Sequence, residues 1–160
     1  MTIARFDRVP PEQYQQDTAS LNDPLPLDAL PLPVRATPGS AGYDFVCPAE
    51  VALGPGESVV IPTGMRAFME QGWVLLIFPR SGLGFKHQLR LANTTGVIDS
   101  DYVSAANRGH ILVKIVNGSD HPFTLRRGER FCQGVFVPYG LAEEAAPANE
   151  RSGGLGSTGR

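Results

Sequence analysis

Beyond Arg35 the chain alternates short apolar runs with turn residues. Residues 58–62, 65–69 and 73–78 are brief runs rich in valine, isoleucine, phenylalanine and methionine, as expected of strands. Gly54-Pro55-Gly56, Thr63-Gly64 and Gln71-Gly72 punctuate them. The same pattern predicts strands over 88–92, 110–117, 122–125 and 130–138. No long stretch places apolar residues at helical spacing, and no internal repeat is visible. Only residues 12–16 read as a short helix. Many short strands at close intervals predict an all-β sandwich or barrel.

The ends of the chain break this pattern. Residues 1–30 read as an N-terminal extension, and Pro24, Pro26, Pro31 and Pro33 impose an extended path from it into the strand-rich domain at 31–140. Residues 141–149 are rich in alanine and glutamate and read as a linker. They lead into a Gly/Ser/Thr tail, which is either disordered or ordered by a ligand.

Composition narrows the class. At 160 residues a single domain is expected, and 18 glycines with 14 prolines suit turns between strands better than a helical bundle. A formal net charge of −2 offers no global field for a nucleic acid, so none is expected as a partner, and a polyanion would have to be held locally. Cys47 and Cys132 are the only cysteines and lack a C-x-x-C or zinc spacing, which reads as two buried thiols. His87, His110 and His121 are scattered, without a metal-binding arrangement. Arg5, Asp7, Arg8 and Glu12 interrupt any signal-peptide core, and Val74-Leu75-Leu76-Ile77-Phe78 is too short to span a bilayer. A cytoplasmic protein without a membrane partner is the expectation.

Five polar and glycine-rich segments stand at predicted strand ends: Ala41-Gly42-Tyr43-Asp44-Phe45, Pro79-Arg80-Ser81-Gly82-Leu83-Gly84, Gly96-Val97-Ile98-Asp99-Ser100-Asp101-Tyr102, Gly128-Glu129-Arg130-Phe131-Cys132-Gln133 and Gly153-Gly154-Leu155-Gly156-Ser157-Thr158-Gly159. Asp99 follows an apolar pair and could take a proton from water; Asp101 would share its side if the segment stayed extended. The other reading is a pair of turn aspartates bonding their own backbone. Asp44 is either a carboxylate near a hard cation, directly or through its waters, or a strand aspartate paired with an arginine. Arg80, Ser81 and Gly82 offer a guanidinium fork, a hydroxyl and an accessible N–H to phosphate oxygens, or else form a plain hairpin end. Asn93 to Asp99 is a candidate hairpin whose asparagine amide and open backbone could read the edge of a flat base, or a simple turn. Tyr102 could pack on a sugar or belong to the core edge. Strand period two puts Phe131 and Gln133 on one face, with Arg130 and Cys132 on the other. The tail from Arg151 to Gly159 carries further groups that could wrap phosphates.

In order and wording these segments resemble the trimeric dUTP pyrophosphatase (dUTPase) family from about residue 31 to the end. The resemblance implies a jelly-roll-like β-barrel in a homotrimer, with active sites shared between subunits and C-terminal arms exchanged. It implies hydrolysis of dUTP to dUMP and pyrophosphate with Mg2+ on the phosphates, which keeps uracil out of DNA and supplies dUMP for thymidylate synthesis. Carried over by match, Asp99 activates the water. Asn93, Gly96, Val97 and Ile98 read uracil, and Tyr102 packs on the deoxyribose. Arg80, Ser81 and Gly82 bind phosphates. Asp44 and Gln133 help arrange the metal's water shell and the phosphates, and Arg130 also binds substrate. Arg151, Leu155, Gly156, Ser157 and Thr158 close the site from another subunit's arm.

Three departures stand out. Residues 103–108 separate Tyr102 from the next glycine, Gly109. Leu155 replaces the phenylalanine that usually covers the base. Arg151 sits one residue closer to the double glycine than is common. A dCTP deaminase, similar in fold and motif, is the alternative enzyme, but Lys114 occupies the place of its acid/base glutamate. A catalytically weak nucleotide-sensing relative is the other alternative.

Overall fold

The computed structural model describes residues 1–143. Twelve strands form along them: β1 Ala4–Arg8, β2 Val34–Arg35, β3 Tyr43–Val46, β4 Val51–Leu53, β5 Ser58–Pro62, β6 Met65–Met69, β7 Trp73–Pro79, β8 Leu89–Leu91, β9 Gly96–Ile98, β10 Leu112–Asn117, β11 Phe123–Leu125 and β12 Arg130–Pro138. Two short helices, α1 Pro11–Asp17 and α2 Ser81–His87, and two 3₁₀ turns, Leu27–Ala29 and Ser100–Ser104, complete the set.

All pairings are antiparallel. The largest sheet runs β2-β3-β12-β7-β9, and β5-β10-β8, β1-β6 and β11-β4 form the others. Partners such as β3 and β12 come from opposite ends of the domain, as in a jelly roll. The described strands form four sheets around one core and no single closed cylinder. Phe45, Phe131, Leu75, Ile77, Ile61 and Ile115 are buried at its centre. Burying each such side chain contributes roughly 1.5–3 kcal/mol.

Three sequence expectations change. Residues 1–30 are woven into the core: β1 pairs with β6, and Val9, Tyr14 and Leu30 are buried. The expected hairpin around Asn93 has arms that go to different partners, β8 to β10 and β9 to β7. After Asp99 the chain coils into the 3₁₀ turn instead of staying extended, so Asp99 and Asp101 do not share a strand face.

Candidate functional site

Strand β7 organises two clefts. Its neighbouring residues Ile77 and Phe78 point to opposite faces of the sheet, and each lines a different cavity.

The Phe78 side holds the charge. As β7 ends, the Arg80 N–H bonds Phe131 O on β12 at 3.1 Å, and α2 begins at Ser81. Ser81 and Gly82 therefore occupy a first helical turn, where backbone N–H groups have no intrahelical acceptor. This is not the hairpin end that the local sequence also allowed. Across the sheet, Asp44 on β3 stands opposite Gln133 on β12. The Asp44 carboxylate is nearly buried and receives Arg80 Nε at 3.2 Å on one oxygen and Arg130 Nη1 at 3.1 Å on the other. Asp44 is thus paired with two arginines. Around a cavity of about 630 Å³, Arg80, Lys86 and the adjacent Arg130 leave a surplus of positive charge over Asp44 and Glu129. A Cβ on Gly42 would lie 2.3 Å from Gln133 Oε1, so glycine there makes room for the amide.

A β-bulge between Arg130 and Cys132 corrects the expected alternation. Phe131 and Cys132 are consecutive yet both fully buried. The extra residue re-aims the strand, so that Arg130 reaches Asp44 while Gln133, three residues on, stays beside the same carboxylate.

The Ile77 side is mostly apolar, with Lys114 the one charged residue among the described residues that line it. Asn93, Gly96 and Ile98 border a cavity of about 280 Å³ with Ile77, Leu91 and Leu112. Val97 faces away from it and is exposed. Asp99 follows Ile98 and caps the 3₁₀ turn, and its carbonyl accepts the Tyr102 N–H at 3.1 Å. Tyr102 is buried, its hydroxyl donating to His110 O at 3.0 Å.

One chain does not bring these groups together. The two cavities open on opposite faces of a sheet. Ile98 pairs with Leu75, whereas Arg80 follows Pro79 at the far end of β7, so roughly 15–20 Å of strand separates Asp99 from Arg80. Arg151, Leu155, Gly156, Ser157 and Thr158 lie outside the described residues.

Among the described residues no three His, Cys, Asp or Glu side chains cluster to hold a metal. With both Asp44 oxygens engaged by arginines, the residues fit a hard cation carried on ligand phosphates and met through water better than one bound directly. Burial pushes the Cys47 thiol up to about 12 and Cys132 well above its ordinary value, so neither is a nucleophile. Glu129 and Lys86 also line the charged cleft; sequence favours a solvated surface lysine at 86 over a source of positive potential, and does not single out Glu129. Glu129 sits next to Arg130 in a glycine turn, which was the available signal. No helix among the described residues is long and apolar enough to cross a membrane.

The family model for dUTPase matches residues 28–159. A deoxyuridine 5'-triphosphate nucleotidohydrolase of Lactococcus lactis is 43% identical over 131 residues, covering 80% of this chain and 87% of that protein. One from Pseudomonas aeruginosa is 40% identical over 149 residues, covering 88% of this chain and 95% of that protein. The crystal structure of dUTPase from Streptococcus mutans matches with a TM-score of 0.68 and 36% identity, covering 87% of this chain and 98% of that one.

Proposed function

This chain belongs to the dUTPase family, and from that premise we infer that it hydrolyses dUTP to dUMP and pyrophosphate, with water attacking the α-phosphorus in line. The charged cleft receives the triphosphate and the apolar cavity receives uracil. Asp99 takes the proton from the attacking water. Arg80 and Ser81 bond the phosphate oxygens, and Arg130 adds positive charge beside the leaving pyrophosphate. Gly82 lets the backbone approach. The amide of Asn93 and the backbone of Gly96, Val97 and Ile98 read the uracil edge, and Tyr102 packs against the deoxyribose. Residues of the C-terminal arm, Arg151 and Leu155 to Thr158, cover the bound nucleotide. Mg2+ would arrive on the phosphates, with Asp44 touching its water shell and Gln133 beside it; there it supplies charge neutralisation.

The observation that carries this reading is the split of the site. The phosphate-type and base-type clefts stand on opposite faces of one sheet, so a single nucleotide spans them only if a second copy supplies one of the two. A homotrimer with three shared sites meets that requirement, since cyclic symmetry repeats one heterologous contact until the ring closes.

The test is release of pyrophosphate by purified protein with Mg2+, comparing dUTP, dCTP, dTTP and UTP. Turnover of dUTP far above the others is expected. Ammonia release from dCTP, or dUTP binding without turnover, would overturn the assignment.

A further inference from the structure

Two stretches with no role in the clefts, the inserted residues 103–108 and the N-terminal helix α1, converge on Tyr102. The insertion folds back through a tight turn, with Arg108 at φ +58° and Gly109 at φ +75°. A Cβ at 109 would lie 2.7 Å from Val103 Cα, so the turn needs glycine there. Within it the Arg108 N–H bonds Ala105 O at 2.8 Å and the His110 N–H bonds Asn107 O at 3.1 Å. The return brings the Asn107 amide against the tyrosine. Asn107 Nδ2 donates to Tyr102 Oη at 2.8 Å and to His110 O at 3.1 Å, while Oδ1 accepts the Gly109 N–H at 3.2 Å. Tyr102 Oη itself donates to His110 O at 3.0 Å. The hydroxyl's proton and one of its lone pairs are both directed into the protein.

His110 is held from the opposite side. It is fully buried, and Nε2 accepts the Gly64 N–H at 2.8 Å, which leaves the ring proton on Nδ1. Nδ1 donates to Asp17 Oδ2, at the end of α1, at 2.5 Å. Helix α1 is seated by the buried Tyr14, whose hydroxyl donates to Leu25 O at 2.7 Å. The carbonyl that anchors Tyr102 therefore belongs to a residue clamped by the N-terminal segment.

We propose that Asn107 is a positioning residue for sugar selection: it fixes the Tyr102 ring by tethering its hydroxyl, and Asp17 braces the same anchor through His110. This rests on the reading that Tyr102 packs on the deoxyribose. A ring tied at its far end cannot tilt away to admit a 2′-hydroxyl, whereas a ring released from one tether can. Discrimination then depends on the rigidity of the tyrosine as well as its presence.

The experiment measures kcat/KM for dUTP and UTP in the full chain for wild type, Asn107→Ala, Tyr102→Phe, the double variant, Asp17→Ala and Tyr102→Ala, with thermal melts to verify folding. Asn107→Ala is expected to narrow the preference for dUTP over UTP about 3- to 10-fold, the range for one lost neutral hydrogen bond. Tyr102→Phe removes this tether and the bond to His110 O, so it should narrow the preference at least as much, and the double variant no further than Tyr102→Phe alone. Asp17→Ala should narrow it by about 2-fold. Asn107→Leu keeps the side-chain volume but can neither donate to nor accept from Tyr102 Oη, so it gives the same reading should Asn107→Ala fail to fold. Equal loss toward both nucleotides in the Asn107 variants, or additive effects in the double variant, would overturn the proposal. If Tyr102→Ala leaves the dUTP/UTP ratio unchanged, the sugar assignment of Tyr102 itself falls. If Tyr102→Ala moves the ratio and the Asn107 variants do not, only the positioning role falls.

Discussion

The two clefts that flank β7 are built on opposite physics. On the Phe78 face, Asp44 is pinned between Arg80 and Arg130, so the guanidiniums are held in place before any anion arrives. On the Ile77 face, Ile77, Leu91 and Leu112 enclose a small apolar cavity with Asn93 at its rim. The first can neutralise charge, with Arg80, Lys86 and Asp44 set among Phe78, Leu83 and Val135. The second can hold a base but places no arginine near a phosphate. The difference teaches that preorganised charge and apolar shape are assigned to separate faces, which the proposed assembly of copies would unite.

The largest way to break this comparison is at the residue that belongs to neither cleft's walls. Asp99→Asn is expected to lower kcat by about 10²–10⁴ while dUTP still binds. Wild-type kcat in that variant would remove Asp99 from the chemistry. In the charged cleft, Ser81→Ala should cost about 1.5–3 kcal/mol in kcat/KM, as for a hydrogen bond to a charged group. Steady-state kinetics with dUTP would measure it, and an unchanged value would mean that the first turn of α2 does not touch phosphate.

Gly42→Ala sharpens the geometry of the same cleft. The new methyl must displace Gln133, a strain of about 1–3 kcal/mol that should appear in urea unfolding together with a raised KM for dUTP. Unchanged stability and KM would show that Gln133 swings away freely.

The smallest effect is on pH dependence. Burial lowers the His110 pKa below its ordinary value of about 6.5, with Asp17 opposing part of that shift. Below about pH 6.5 the unfolded chain binds a proton that the folded chain refuses. Stability should therefore be full above that pH and fall as pH drops toward the lower folded value. Denaturant unfolding of wild type and His110→Asn across this range should show a slope in the first that is reduced in the second. Equal slopes would mean that His110 is not the group responsible.

Much of the strand layout is legible locally. Strands 58–62, 65–69 and 130–138 were predicted with the bounds that form, because apolar runs end there at proline or glycine punctuation. Strand β1 was missed: Ala-Arg-Phe-Asp-Arg has little strand character, and its conformation comes from pairing with β6 nearly sixty residues away. Helix α2 was missed because Ser-Gly-Leu-Gly-Phe-Lys-His carries two glycines and spans under two turns, so propensity argues against it. The bulge at Arg130 was invisible for a related reason. Periodicity assumes an unbroken ladder, and only the register against β3 reveals the extra residue. In the charged cleft, residue types were readable from sequence, but the pairing of Asp44 with two arginines from distant segments was not.

The most direct test of the split site mixes two inactive chains. Asp99→Asn and Arg80→Ala variants, each purified, are unfolded together, refolded at equal ratio and assayed for pyrophosphate release from dUTP. If each site takes Asp99 from one copy and Arg80 from another, random assembly restores about a quarter of the sites and activity returns well above either variant alone. If both groups serve a nucleotide held within one chain, no mixed oligomer contains an intact site, and the mixture stays as inactive as its parts.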